Sequence, residues 1–240
     1  MDTAYGELVS RVRSARRSSG QVLLEGVHAL KHASRFGADI ELVVTPDRRL
    51  FSALLADLAP DVAVPTDLIE VDRYTWARLT NDRALPSPSL AVAARPHTVA
   101  QDVLAADGRV VVLEAPRHLG NLGAVIRVSA AANAAGVVVI GDADPWHPTA
   151  VRGAAGLQFA VQVARADALP ATTRPILAVD ADGDPDLPVP DDAVLLLGTE
   201  RGGLTSKLRS RAHGQVAIAM REGVSSLNMA TAAAVILFTR

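Results

Sequence analysis

Gln215-Val-Ala-Ile-Ala-Met220, then Arg221-Glu-Gly-Val-Ser-Ser-Leu-Asn228, then the run from Met229 to Phe238, is the part of the chain around which the rest is arranged. Residues 215–220 alternate in apolar character and predict a buried strand. Residues 221–228 form a polar loop with a glycine, two serines and an asparagine. Residues 229–238 are almost wholly apolar and alanine-rich, which predicts a helix buried on most sides. Ser and Asn suit the start of such a helix, because their side-chain oxygens accept from free backbone N–H groups. A polar loop between a strand and a helix is a usual ligand position in an α/β domain.

Upstream, two more loops have the same setting. Val110-Val-Val-Leu-Glu114 is a continuous apolar strand, the pattern of a strand covered on both faces. It leads to Gly120-Asn-Leu-Gly-Ala-Val-Ile-Arg127, which opens an alanine-rich helix. Glycines let backbone approach a ligand closely, and a helix N-terminus attracts phosphate. Leu195-Leu-Leu-Gly-Thr-Glu-Arg-Gly-Gly-Leu204 again runs from an apolar strand through glycines toward a helix. The alternative for that loop is a turn needing positive φ at Gly202 or Gly203, with Glu200 in solvent. Further strands are expected at residues 137–141, 160–163, 176–179 and 193–197. Residues 180–192 read as a Pro/Asp/Gly-rich loop.

The first part of the chain alternates likewise. Helices are expected over residues 4–17, 27–36 and 49–58, with a short one through 79 capped by Asp72. Strands are expected at 22–26, 40–45, 68–71 and 90–94. This pattern implies a small α/β domain over residues 1–95. Residues 96–108 read as a linker to a second α/β domain over 109–240.

Composition sets bounds. The 240 residues are 49% hydrophobic and 21% charged, as in an ordinary globular protein, with room for two cores. There is no cysteine, so disulfides, thiolate catalysis and Cys-based zinc sites are excluded. The six histidines show no metal-ligand spacing, and no metal is expected. No apolar run is long enough to span a bilayer, and residues 1–7 have no signal-peptide character. A cytoplasmic location without a membrane partner is the expectation. A net charge of −2 argues against a general nucleic-acid coat but leaves room for a local basic face. Arg11, Arg13, Arg16 and Arg17 are the candidates for RNA contact; the alternative is a solvated helix end whose arginines sit at the negative dipole terminus. The chain ends at Arg240 directly after the last expected helix, which leaves a continuation open.

Three ordered segments carry a family resemblance. Asn121-Leu-Gly-Ala-Val-Ile-Arg127, Gly198-Thr-Glu-Arg-Gly-Gly203 and Ile218-Ala-Met220 … Ser226-Leu-Asn-Met-Ala230 resemble the three signature motifs of the SpoU/TrmH RNA 2'-O-ribose methyltransferases, in the SPOUT superfamily. Asp144-Pro-Trp-His-Pro148 … Val151-Arg-Gly-Ala-Ala-Gly156 is similar to another family segment. Leu24-Glu-Gly26 and Ser89-Leu-Ala-Val-Ala93 resemble parts of the L30e-like N-terminal domain found in many members. One departure stands out: His118-Leu119 replaces the usual Asp-Pro before the asparagine, a form shared with thiostrepton-resistance methyltransferases. His118 is readable as a general base or as a simple polar contact.

The resemblance implies an α/β fold with a C-terminal SPOUT α/β-knot (deep trefoil knot) and a smaller L30e-like domain that helps bind RNA. It implies S-adenosyl-L-methionine as cofactor, held by Gly198, Thr199, Gly203, Ile218, Met220 and Leu227. It implies catalytic roles for Arg127, Asn121, Glu200, Ser226 and Asn228. Arginine is normally always protonated, so Arg127 is expected to clamp a substrate phosphate or stabilise a developing alkoxide. The family also implies a homodimer and an RNA substrate, ribosomal (23S) in preference to transfer RNA. The rival readings are an RNA-binding protein without catalysis and a nicotinamide-dependent dehydrogenase. The latter lacks Gly-x-Gly-x-x-Gly with a placed acidic residue.

Overall fold

The computed structural model describes residues 2–199, 202–224 and 226–239. In chain order the elements begin with α1 (Asp2–Ala15), β1 (Gln21–Glu25), α2 (Val27–Arg35), β2 (Ile40–Thr45), α3 (Arg48–Leu58), β3 (Ile69–Glu70), α4 (Arg73–Thr80) and β4 (Leu90–Ala94). They continue with α5 (Ala100–Ala105), β5 (Val110–Glu114), α6 (Leu119–Ala131), β6 (Gly136–Ile140), α7 (Pro148–Ala154), β7 (Gln162–Ala166), β8 (Ile176–Asp184), β9 (Val194–Leu197), α8 (Ser206–Arg209), β10 (Gly214–Val216) and α9 (Met229–Thr239). They form two units, Met1–His97 with Trp146–Ala160, and Thr98–Pro145 with Val161–Arg240.

The first unit holds a four-stranded sheet in the order β1-β4-β2-β3. β4 runs antiparallel to β1 and β2, and β3 runs parallel to β2. Leu8, Val9 and Val12 of α1 pack with Leu23, Val44, Leu79 and Val92 in one core. Spacings of three and four residues put the first three on one helical stripe. Asp47 and Asp72 accept hydrogen bonds from the N–H groups of Leu50 (2.9 Å) and Thr75 (2.7 Å), fixing the starts of α3 and α4.

This unit also contains a buried ionic hub. The Glu25 side chain, 1% exposed, meets Arg16 at 3.2 Å, Arg83 at 2.5 Å and Arg152 at 3.1 Å. Arg152 lies on α7, so the carboxylate ties the 146–160 excursion to β1. A carboxylate so deeply buried is tolerated because charged donors surround it.

The second unit is a six-stranded, all-parallel sheet in the order β10-β8-β9-β5-β6-β7. Val110 to Leu113, Val137 to Val139 and Val194 to Leu196 are 0–1% exposed, as strands covered on both faces must be. α6 packs against α9.

Three expectations change. Within the span expected as a linker, residues 100–105 form α5, whose Ala100, Val103 and Leu104 are buried in the second core. The apolar spacing of so short a segment is hidden by the flanking Pro96 and Gly108. Residues 146–160 group with the first unit, although the sequence places them inside the second domain. The strand expected over 215–220 stops at Val216, after a register shift; beyond it, Ile218 and Met220 line a cavity. Smaller shifts are a strand at 162–166 in place of 160–163, and β8 running through Asp184 into the expected loop.

Candidate active site

The second unit contains a cavity of about 250 Å³ lined by Val179, Asp180 and Ala181 from β8, Leu197, Gly198, Thr199 and Gly203 around the end of β9, Ile218 and Met220 after β10, and Ser226, Leu227, Met229 and Ala232 around the start of α9. All six residues expected to hold the cofactor line it: Gly198, Thr199, Gly203, Ile218, Met220 and Leu227. Much of the lining lies where parallel strands end, the position that suits a ligand in such a sheet.

The loop after β9 is held shut on itself. Thr199 N–H donates to the Gly203 carbonyl (3.0 Å), and Gly203 N–H donates back to the Thr199 carbonyl (3.1 Å). Gly202 N–H donates to Thr199 Oγ1 at 3.0 Å. Gly203 has φ +62°, and a Cβ on Gly198 would run into the Gly203 carbonyl carbon. Both glycines are therefore required, one by a left-handed backbone and the other by close approach. Beyond the loop, Glu114 accepts from Thr205 N–H (2.7 Å) and Thr205 Oγ1–H (2.6 Å), fastening the segment to the end of β5. Glu200 and Arg201 lie outside the described residues, so the expected role of Glu200 is not placed.

The catalytic candidates separate into two groups. Asn228 Nδ2–H donates to Asn121 Oδ1 at 3.1 Å, joining two motifs 107 residues apart. The Asn228 Oδ1 accepts from Ala230 N–H at 2.9 Å, so the same residue caps α9 as expected. Ser226 lines the cavity. Arg127 stands apart: it is exposed on α6, lines no part of the cavity, and its guanidinium has no hydrogen-bond or ion-pair partner among the described residues. Six residues of α-helix rotate a side chain to about 120° from its start, so Asn121 and Arg127 face different ways. His118 is exposed at the N-terminus of α6 and makes no side-chain cap there.

Among the four arginines expected to contact RNA, two are engaged. Arg11 donates to the Glu41 carbonyl (3.1 Å) and carboxylate (3.4 Å). Arg16 donates to Glu25 and to the Leu79 carbonyl at 3.0 Å. Burial lowers its pKa, and the Glu25 carboxylate works against that. Arg16 thus serves the core of the first unit. The side chains of Arg13 and Arg17 are exposed.

The sequence missed Asp180 and its neighbours, because the chain there reads as a Pro/Asp/Gly loop although β8 continues through it. Nothing in the local pattern distinguishes that strand end from a turn. Among the described residues there is no cluster of metal-ligating side chains, and no helix is long and apolar enough to cross a membrane.

Comparison with known proteins adds an independent line. Residues 108–238 match the SpoU rRNA Methylase family. The chain is 26% identical over its full length to the 23S rRNA (adenosine(1067)-2'-O)-methyltransferase of Streptomyces azureus, across 93% of that protein. It is 28% identical to the 23S rRNA (uridine(2479)-2'-O)-methyltransferase of Streptomyces viridochromogenes, over 94% of this chain and 84% of the relative. The structure resembles the SpoU methyltransferase AviRb from Streptomyces viridochromogenes, solved in complex with AdoMet, with a TM-score of 0.78 and 25% identity over 99% of this chain and 96% of that one. That likeness spans both units and supports an α/β fold of the knotted SPOUT class. A matched segment covering more than half of the 240 residues, two motifs lining one cavity with the other bonded to it through Asn121 and Asn228, and a fold shared end to end lead to one conclusion: this chain belongs to the SpoU rRNA methylase family.

Proposed function

We propose that this protein is an S-adenosyl-L-methionine-dependent methyltransferase acting on a ribose 2'-hydroxyl of 23S rRNA. The observation that carries the reading is convergence. Gly198, Thr199 and Gly203 share one cavity with Ile218, Met220, Ser226 and Leu227, and Asn228 at its margin bonds to Asn121 of the first motif.

The lining fits the cofactor. Leu197, Ile218, Met220 and Leu227 give apolar walls for an adenine ring, and the glycines leave backbone accessible. When bound, S-adenosyl-L-methionine supplies an electrophilic methyl group. The chain's own residues must then orient a ribose oxygen, help its proton leave and exclude water. Ser226, on the cavity wall, and Asn228, tied to Asn121, are placed to orient the hydroxyl. Arg127 holds the adjoining phosphate in its fork of donors and stabilises the oxygen as it loses its proton.

Arg127 faces away from Asn121 on the same helix, so one chain does not bring these two groups onto one ribose. That separation supports an active homodimer in which Arg127 comes from the second copy. Exposed Phe238 on α9, 61% accessible, offers apolar surface for such pairing. Arg13 and Arg17 of α1 supply RNA phosphate contacts.

The test is transfer of labelled methyl from the cofactor to total RNA, followed by mapping of the modified position. Label on a ribose 2'-oxygen of 23S rRNA is the expected result. Label confined to transfer RNA would replace the substrate, and cofactor binding without transfer to any RNA would overturn the enzymatic reading.

A further inference from the structure

Asp180 is the one charged residue among the described residues lining the cavity. It sits on β8, where the sequence suggests only a loop. Its carboxylate is mostly shielded, 19% exposed, and both oxygens are already oriented. Oδ2 meets the Arg209 guanidinium at 2.5 Å, and Oδ1 accepts from Asp182 N–H at 3.3 Å. Arg209 is itself braced, donating to Gln215 Oε1 at 3.2 Å. Each carboxylate oxygen has a second lone-pair direction, so these bonds fix the group without exhausting it.

A fixed carboxylate in the wall of a cavity whose other described lining residues are neutral and largely apolar selects for positive charge, because the low local dielectric strengthens the attraction. S-adenosyl-L-methionine carries two cationic centres, the sulfonium and the α-ammonium, against one carboxylate. We propose that Asp180, held by Arg209, is the group that recognises a cationic centre of the methyl donor. This rests on the reading of the cavity as the cofactor site. If the centre is the sulfonium, Asp180 also separates donor from product, since transfer of the methyl removes that charge.

The test is calorimetric binding to the full chain and to Asp180→Asn, with three ligands. S-adenosyl-L-methionine has both cationic centres. S-adenosylhomocysteine keeps only the ammonium. 5'-Methylthioadenosine is a neutral thioether with the same nucleoside. The substitution is expected to weaken the donor on the order of tenfold, the scale of one charge-assisted contact, and to leave 5'-methylthioadenosine within about twofold. S-adenosylhomocysteine then assigns the centre. Loss matching the donor's points to the ammonium, and no loss points to the sulfonium; either supports the proposal. Unchanged donor affinity overturns it. An equal loss for 5'-methylthioadenosine also overturns it, since that would mean Asp180 only shapes the cavity. Failure of the underlying reading looks different: Leu227→Trp, which fills the cavity, would leave the native affinities for all three ligands intact.

Discussion

Among the described catalytic candidates, Arg127 alone is on an exposed helix face away from the cavity, and that location dictates its phenotype. Arg127→Ala should retain S-adenosyl-L-methionine affinity by calorimetry and lose on the order of a hundredfold or more in single-turnover methyl transfer. Retained turnover would remove it from the mechanism. Gly198 makes the converse case. Its missing side chain leaves room for the Gly203 carbonyl, so even one methyl must displace the loop. Overpacking of this kind costs about 1–3 kcal/mol. Gly198→Ala should therefore abolish measurable cofactor binding while circular dichroism still reports a folded chain. Undiminished binding would show that the loop has slack which its paired hydrogen bonds do not suggest.

Among the elements, α2 contributes a pH response. His32 on α2 donates Nδ1–H to the Ala155 carbonyl at 2.7 Å, within the first unit. Its pKa is lowered chiefly by burial; the Ala155 bond opposes this, and nearby Lys31, Arg35 and His28 add to it. A histidine whose folded pKa is depressed favours the neutral form. Its contribution is present above the ordinary value of 6.5 and is lost as pH falls through it, because the unfolded chain takes up the proton first. The urea midpoint should fall as pH is lowered across that window, and His32→Gln should flatten the slope; an identical slope would exclude His32 as its source. α1 offers a different measurement. Replacing Arg13 and Arg17 with Ala should reduce the salt dependence of RNA binding, by up to about 0.7–0.9 in log–log slope for each phosphate that is no longer neutralised. An unchanged slope would place the RNA elsewhere.

For the whole molecule, the question is whether one copy suffices. On the proposed dimer, in which Arg127 would act across the interface, an Arg127→Ala chain has an intact cavity, and a Gly198→Ala chain has an intact arginine. Each variant alone should be inactive, and mixing them under conditions that exchange subunits should restore methyl transfer. Recovery requires the arginine of one copy to serve the cavity of the other. A mixture that stays inactive while forming mixed dimers would place Arg127 and its cavity in the same chain.

The sequence alone determined the strands at residues 110–114 and, to within one residue, 193–197, the loops that follow them, and the family, because each signal is local. An unbroken apolar run reads as a strand covered on both faces, and Asn121, Arg127, Gly198, Ser226 and Asn228 stand at fixed spacings. It also named the six cofactor candidates, since short motifs move as units. Only the tertiary structure decided which residues far apart in the chain meet. Asn121 finds Asn228, Glu25 gathers Arg16, Arg83 and Arg152, and Asp180 comes onto the wall of the cavity with Arg209 behind it. Pairings of this kind depend on strand order and on how the sheet brings distant loops together, and no local periodicity encodes either. For the same reason Arg16 reads from sequence like Arg13 and Arg17, and only burial separates a core arginine from one left facing water.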